Sequence, residues 1–127
     1  MLAKDEHLIN DILDAALAVH PSLGCGFVES IYGRALASEL RKHDDLRIER
    51  EKLIKIWYGS HVVGKHLLDL VVNETVIVEL KAARGIIPVH SAQLRSYLHA
   101  TGYSAGLILN FGQPELQWER LQNADRS

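Results

Sequence analysis

The stretch from Asp69 to Lys81, DLVVNETVIVELK, limits the fold more than any other part of the chain. It opens on an acid, runs through β-branched apolar residues, breaks at Asn73-Glu74 and closes on Glu79-Leu80-Lys81. Two such runs around a polar break predict a β-hairpin. Side chains alternate across a strand, so Glu79 and Lys81 share a face. A carboxylate and an amine on an otherwise apolar strand are costly to bury unless they pair or bind something. Whether Asp69 joins them depends on the turn. A strict two-residue loop pairs Asp69 with Val78 and leaves Glu79 on the opposite face. A longer loop, Asn73 to Thr75, pairs Val72 with Val76 and sets Asp69 across from Glu79. In that register two carboxylates and a lysine form a candidate divalent-metal site with a cationic helper.

The length, 127 residues, is that of one domain spanning 1–127 with one proper core. No apolar run approaches the roughly 20 residues of a membrane span. The start, MLAKDEHLIND, is acidic and polar and unlike a secretory signal. The lone Cys25 cannot form an internal disulfide and fits a reducing cytoplasm, so a cytoplasmic protein is expected. A net charge of −2 does not advertise nucleic-acid binding. Between Leu80 and Pro114, however, there is no Asp or Glu, while Lys81, Arg84, Arg95, His90 and His99 occur. That gap reads either as a modest basic surface beside the candidate site or as a solvated face.

In chain order, Leu8, Ile9, Ile12, Leu13, Ala16 and Leu17 follow helical spacing and predict a helix from about Lys4 to Val19. His20-Pro21 should end it, because a residue before proline is pushed out of the helical region. A second helix is expected from about Val28 to His43, with Ile31, Ala35 and Leu36 as its buried stripe. Glu29 falls in its first turn, where a carboxylate suits the dipole, and Tyr32 lies one turn on. Residues from about Arg47 to Val72 change to a two-residue period, with a turn at Tyr58 to His61 and a bulge or bend expected at Gly64. A third helix is expected from near Pro88 or Ser91 to Thr101-Gly102, carrying His90, Gln93 and Tyr97 as a polar-aromatic stripe. Tyr103 to Phe111 reads as a buried strand, LQWERL as a short edge strand, and NADRS as a frayed tail. The order predicts an α/β or α+β layer protein with helices covering a mixed sheet.

GFVESIYGRAL, Gly26 to Leu36, fits a GxxExxY signature. Together with LDLVV, VIVELKA, HSAQLRSYLHATG and GLILNFG, it resembles the GxxExxY protein family, placed in the PD-(D/E)XK nuclease-like superfamily. The resemblance implies a restriction-endonuclease-like core, a mixed sheet of about four to five strands flanked by helices. It implies Asp69, Glu79 and Lys81 as the metal and catalytic motif, Glu29 as an added helical carboxylate, and Mg²⁺ or Mn²⁺ as the cofactor. Gln93 and Tyr97 resemble a Gln-x-x-x-Tyr helix motif of RecB-like branches. The residue before Asp69 is Leu68, a departure from the family's proline. These motifs favour the longer hairpin loop.

The implied function is metal-dependent hydrolysis of a DNA or RNA phosphodiester. Arg84 and Arg95 are candidates for phosphate contacts, with Gln93, Tyr97 and Tyr32 near the substrate. The alternative is a weak or inactive nuclease-fold binding module acting through nucleic acid or a protein partner. A homodimer is a further expectation. Glu79 and Lys81 also read as a plain salt bridge, and Tyr32 and Tyr97 as core-edge aromatics. His61 and His66 read as scattered histidines without zinc spacing, and Trp57 and Trp118 as core or edge packing.

Overall fold

The alternating region folds into three antiparallel strands, β1 (Ile48–Tyr58), β2 (His61–Val72) and β3 (Val76–Lys81). A crossover helix then returns the chain to β4 (Ala105–Asn110), parallel to β3, and β5 (Gln117–Gln122) closes the sheet antiparallel to β4. The sheet is mixed, with order β1-β2-β3-β4-β5. The structure, a computed structural model, describes residues 2–124. The hairpin adopts the longer register: Val72 pairs with Val76 and Leu70 with Val78, around a turn in which Asn73 and Glu74 have φ of 54° and 48°.

Two helices cover one face of the sheet and one covers the other. The first two, α1 (Leu2–Leu23) and α2 (Glu29–Leu40), pack Ile9, Ile12, Leu36 and Leu40 onto Leu70, Val78, Leu107 and Leu109. The crossover helix α3 (Pro88–Thr101) packs Leu94 and Leu98 onto Val71, Ile77 and Ile108. It ends at Gly102 (φ 77°), whose left-handed conformation glycine adopts without steric cost. Among the described residues no helix is long and apolar enough to cross a membrane.

Several expectations are corrected here. The first helix runs through Pro21 to Leu23. Tertiary packing outweighs the proline: His20 is buried against Phe111, with Nε2 2.8 Å from the Gln113 carbonyl oxygen. Leu17 is exposed, and Ala15 and Val19 take its place in the stripe. The second helix is shorter than Val28–His43, and Ile31 faces solvent while Tyr32, Gly33, Leu36, Ala37 and Leu40 are buried. Asn123 is no frayed tail. It is buried, and its amide donates to the Leu98 and Tyr103 carbonyls at 2.9 and 2.7 Å. Residues 125–127 of the expected tail lie outside the described residues.

The β1–β2 hairpin changes face partway along. Ile48 packs with the α1–α2 side and Ile54 with the α3 side, although both are even-numbered. In the partner strand Leu68 goes with α3, and Leu70 and Val72 with α1–α2. The switch falls at Glu51, a non-glycine residue at φ 52°, where the ladder skips from Arg50–Leu70 to Lys52–Leu68. Positive φ costs a side-chain-bearing residue about 1 kcal/mol or more. The residue across from Glu51 at this break is Asp69. Beyond it the hairpin forms an arm, with a second irregularity at Ile56–Trp57 beside Gly64, where a bulge was expected.

Behind the end of β3, buried Asn110 binds both backbone groups of Ala83, accepting from its N–H at 2.9 Å and donating to its carbonyl at 3.0 Å. Gly112 lies against this loop, and a Cβ there would stand 2.4 Å from the Ala83 nitrogen. Backbone cannot yield as a flexible side chain does. Gly112→Ala is therefore expected to destabilise the fold by about 1–3 kcal/mol and to disturb the loop that follows Lys81. Thermal melts beside a neutral surface substitution check this, and an unchanged melting temperature would contradict it.

Candidate active site

The β2–β3 ladder stops at Leu70–Val78, and the side chain of the next residue on each strand, Asp69 and Glu79, bridges the gap. The Asp69 N–H donates to Glu79 Oε2 at 3.1 Å, and the Leu80 N–H donates to Asp69 Oδ2 at 2.8 Å. Each carboxylate thus satisfies a backbone donor that the broken ladder would leave unpaired, which fixes its orientation. One oxygen of each remains for other use. Lys81 follows on the same face of β3, its carbonyl accepting from the Phe111 N–H at 2.8 Å.

Charge is concentrated here. Burial first, then the Asp69 charge, pushes the Glu79 carboxyl up to about 7, with Glu29 adding to the rise and Lys81 opposing it. Asp69 is also raised, chiefly by burial and further by Glu29. The field of Glu29 therefore reaches both strand carboxylates from the first turn of α2. It also acts on His90, as Lys81 does. Glu29, Asp69, Glu79 and Lys81 form one electrostatic cluster, and like charges held together in a partly dry site are what a bound cation relieves.

The remaining expected residues divide. Tyr97 belongs to the cluster, since its hydroxyl is raised by burial and then by the Glu79 and Asp69 charges. Gln93 is exposed one turn earlier on α3, on the same helix face. Arg84 is exposed on the loop after β3. Arg95 instead lines a groove between α3 and the β1–β2 arm. Tyr32 is corrected as a substrate contact. It is fully buried, stacked on Phe111 at 4.6 Å, and its hydroxyl donates to the Gly24 carbonyl while accepting from the Phe27 N–H at 3.2 Å. It clasps the loop leading into α2 and so holds the helix start that carries Glu29.

His66 is the residue the spacing did not reveal. Its ring stacks on Tyr97 (4.1 Å, 15°), with Nδ1 3.3 Å from the Tyr97 hydroxyl and Nε2 3.8 Å from Glu79 Oε1. Strict alternation puts His66 on the face of Leu70, away from α3; the switch at Glu51 brings it into the site. Burial, with Lys81 adding to it and Asp69 opposing it, lowers its pKa and favours the neutral imidazole.

As the side chains stand, no group of three or more His, Cys, Asp or Glu among the described residues converges on one ion position. Mg²⁺ takes one or two carboxylates and keeps several waters, which Asp69 and Glu79 meet. The buried, unpartnered His66 Nε2 beside Glu79 also suits a site whose polarity a cation and its waters would complete. The residues fit such an ion.

The sequence matches the family described as PD-(D/E)XK nuclease superfamily over residues 6–121. No curated protein matches. Two solved chains do; one, titled "Crystal structure of SSO0001", is 21% identical with a TM-score of 0.56 over 73% of this chain. The present chain spans about half of that one, 48% of its length. At this identity the likeness is one of fold.

Proposed function

This chain belongs to the PD-(D/E)XK nuclease superfamily, and we propose that it is a metal-dependent nuclease of the GxxExxY type hydrolysing nucleic-acid phosphodiesters. Its mixed five-strand sheet flanked by three helices is the restriction-endonuclease-like α+β architecture. Nucleases of this superfamily generally use divalent metals. The observation that carries the reading is the interlock of Asp69 and Glu79 across the broken ladder, inside the field of Glu29 and Lys81.

Asp69 and Glu79 would hold Mg²⁺ or Mn²⁺, with Glu29 extending the shell directly or through water. Such an ion, when bound, acidifies water and neutralises phosphate charge. The chain's own groups do the rest. The backbone N–H groups of Asp69 and Leu80 keep the carboxylates aimed before substrate arrives, so little reorganisation remains for the reaction. Lys81 orients the attacking water and stabilises charge growing on the phosphate oxygens. Tyr97, steadied by the His66 ring, and Gln93 offer hydrogen bonds to the phosphate, and Arg84 a backbone-phosphate contact.

Asp69→Asn tests this, because its amide oxygen can still accept from Leu80 while a full charge is removed. Calorimetric Mn²⁺ titration should show at least tenfold weaker binding, and labelled single-stranded and duplex DNA and RNA should go uncut. Unchanged Mn²⁺ affinity in that variant removes the site. A wild-type protein that binds Mn²⁺ and nucleic acid yet cuts nothing is a binding module, not a nuclease.

A further inference from the structure

We propose that the groove between the β1–β2 arm and α3 binds single-stranded nucleic acid, with an unpaired base stacked on Trp57 and backbone phosphate on Arg95. The inference rests on the nuclease reading only for the destination of the strand. The groove encloses about 890 Å³ and is lined by Ile56, Trp57, Arg95, Ser96 and Tyr97 among others. Three observations favour this occupant.

The first is Trp57. A tryptophan 58% exposed at an irregularity in the arm contributes little to a core, and the ladder step there shifts from Ile56–Gly64 to Trp57–Val62. An exposed indole in a groove is a stacking platform, and only an unpaired base presents a free π-face to it.

The second is charge. The arm from Lys52 to Leu68 carries Lys52, Lys55 and Lys65 and no Asp or Glu, with Lys52 held in ion pairs by Glu49 and Glu74. Lys55 and Lys65 are directly paired across the strands. They alternate with Ile54 and His66, which face α3, so both point to the opposite face of the arm and supply only a longer-range positive field. The α3 wall comes from the other acid-free stretch, between Leu80 and Pro114, and among the described residues no Asp or Glu lines the groove. A polyanion is the complementary partner.

The third is continuity. Tyr97 lines the groove and also stacks on His66, and its hydroxyl feels the charges of Glu79 and Asp69. A strand lying in the groove therefore leads past Tyr97 toward the carboxylates. The face switch at Glu51 builds both the groove and the His66–Tyr97 contact.

The test uses the full chain in chelator, so binding is read without cleavage. In a Trp118→Phe background Trp57 is the sole tryptophan, and its fluorescence should be quenched on titration with oligothymidylate or oligouridylate. Trp57→Ala should weaken binding of a fluorescein-labelled strand roughly 5- to 100-fold, with Trp57→Phe retaining most of it and Mn²⁺ affinity unchanged in both. Arg95→Ala should reduce the slope of log affinity against log salt by about 1. Oligomers of DNA and RNA run side by side distinguish the two sources of the strand. Equal binding by Trp57→Ala, absence of quenching, or a duplex that competes as well as the single strand would each overturn the proposal. Quenching that appears on raising protein concentration alone would make the groove a self-association surface and overturn it too. Cleavage by wild type with no Trp57 effect defeats only the groove, whereas intact strand binding with no cleavage defeats only the nuclease reading.

Discussion

Lys81→Met is expected to lower the rate of phosphodiester cleavage by about 10²–10⁴ while Mn²⁺ still binds. The lysine sits two residues beyond Glu79 on the same strand face, and its field is felt at Glu79, Asp69, His66 and His90. Methionine keeps the length and the apolar stem, so packing under the site survives. The positive charge and its three donors are lost, and with them the group that orients water and offsets charge in the transition state. The metal comparison must be made at high pH. Lys81 holds the Glu79 carboxyl down, so its removal raises that carboxyl further above about 7 and makes protons compete with the ion near neutrality. At about pH 9 both proteins carry the ionised carboxylate, and the variant should bind Mn²⁺ as well as wild type or more tightly, since a nearby positive charge is gone. Undiminished cleavage would take the lysine out of the chemistry. A collapse of metal affinity at high pH would show that the lysine merely holds the fold.

How much of this was legible in the sequence differs by element. The hairpin register needed one choice, the length of the turn, and the other motifs favoured the loop that Asn73 and Glu74 adopt at positive φ. From that choice Asp69 opposite Glu79 followed by counting. Gly102 marked a helix end because few other residues adopt its φ of 77°, whereas Gly64 sits beside the arm's irregularity with room for a Cβ against Ile56. Pro21 misled for the converse reason: the local bias against a helix was real but smaller than the burial of His20. His66 and Trp57 were illegible because periodicity assumes that a strand keeps one face throughout. Glu51 carries no sequence mark of its φ of 52°, so counting by twos from Leu70 puts the residues beyond it in the arm on the wrong side. Tyr32 was read in the right motif and given the wrong task; spacing places it one turn from Glu29 but does not say whether its hydroxyl points to solvent or, as found, back to Gly24. Its part in the site is to hold the start of α2.

Glu79→Gln should make the metal-free protein more stable while abolishing its metal response. The folded-state pKa of Glu79 is raised from 4.5 to about 7, by burial first and by Asp69 second. A raised pKa means that the folded chain holds a proton the unfolded chain has already released. The stabilisation from that proton is complete below about 4.5, decreases as pH rises, and is gone above about 7. A shift of this size corresponds to about 3 kcal/mol at most, so at pH near 8 the ionised carboxylate weighs against folding by up to that amount. Glutamine removes the charge, and its amide oxygen can still accept from the Asp69 N–H. In chelator near pH 8 the variant should therefore melt several degrees above wild type, on the order of 4–10 °C for about 1–3 kcal/mol, and the difference should vanish toward pH 4.5. Added Mn²⁺ should reverse the order. Wild type gains about 4.1 kcal/mol at a thousandfold excess over its dissociation constant, more than the variant's lead, and the variant gains almost nothing. Equal melting temperatures in chelator across the pH range would mean that Glu79 is not held against its preferred charge state. Equal Mn²⁺ stabilisation of both proteins would mean that the ion binds elsewhere. If instead the ranking inverts with metal, the strain between the two carboxylates is the feature that a cation relieves.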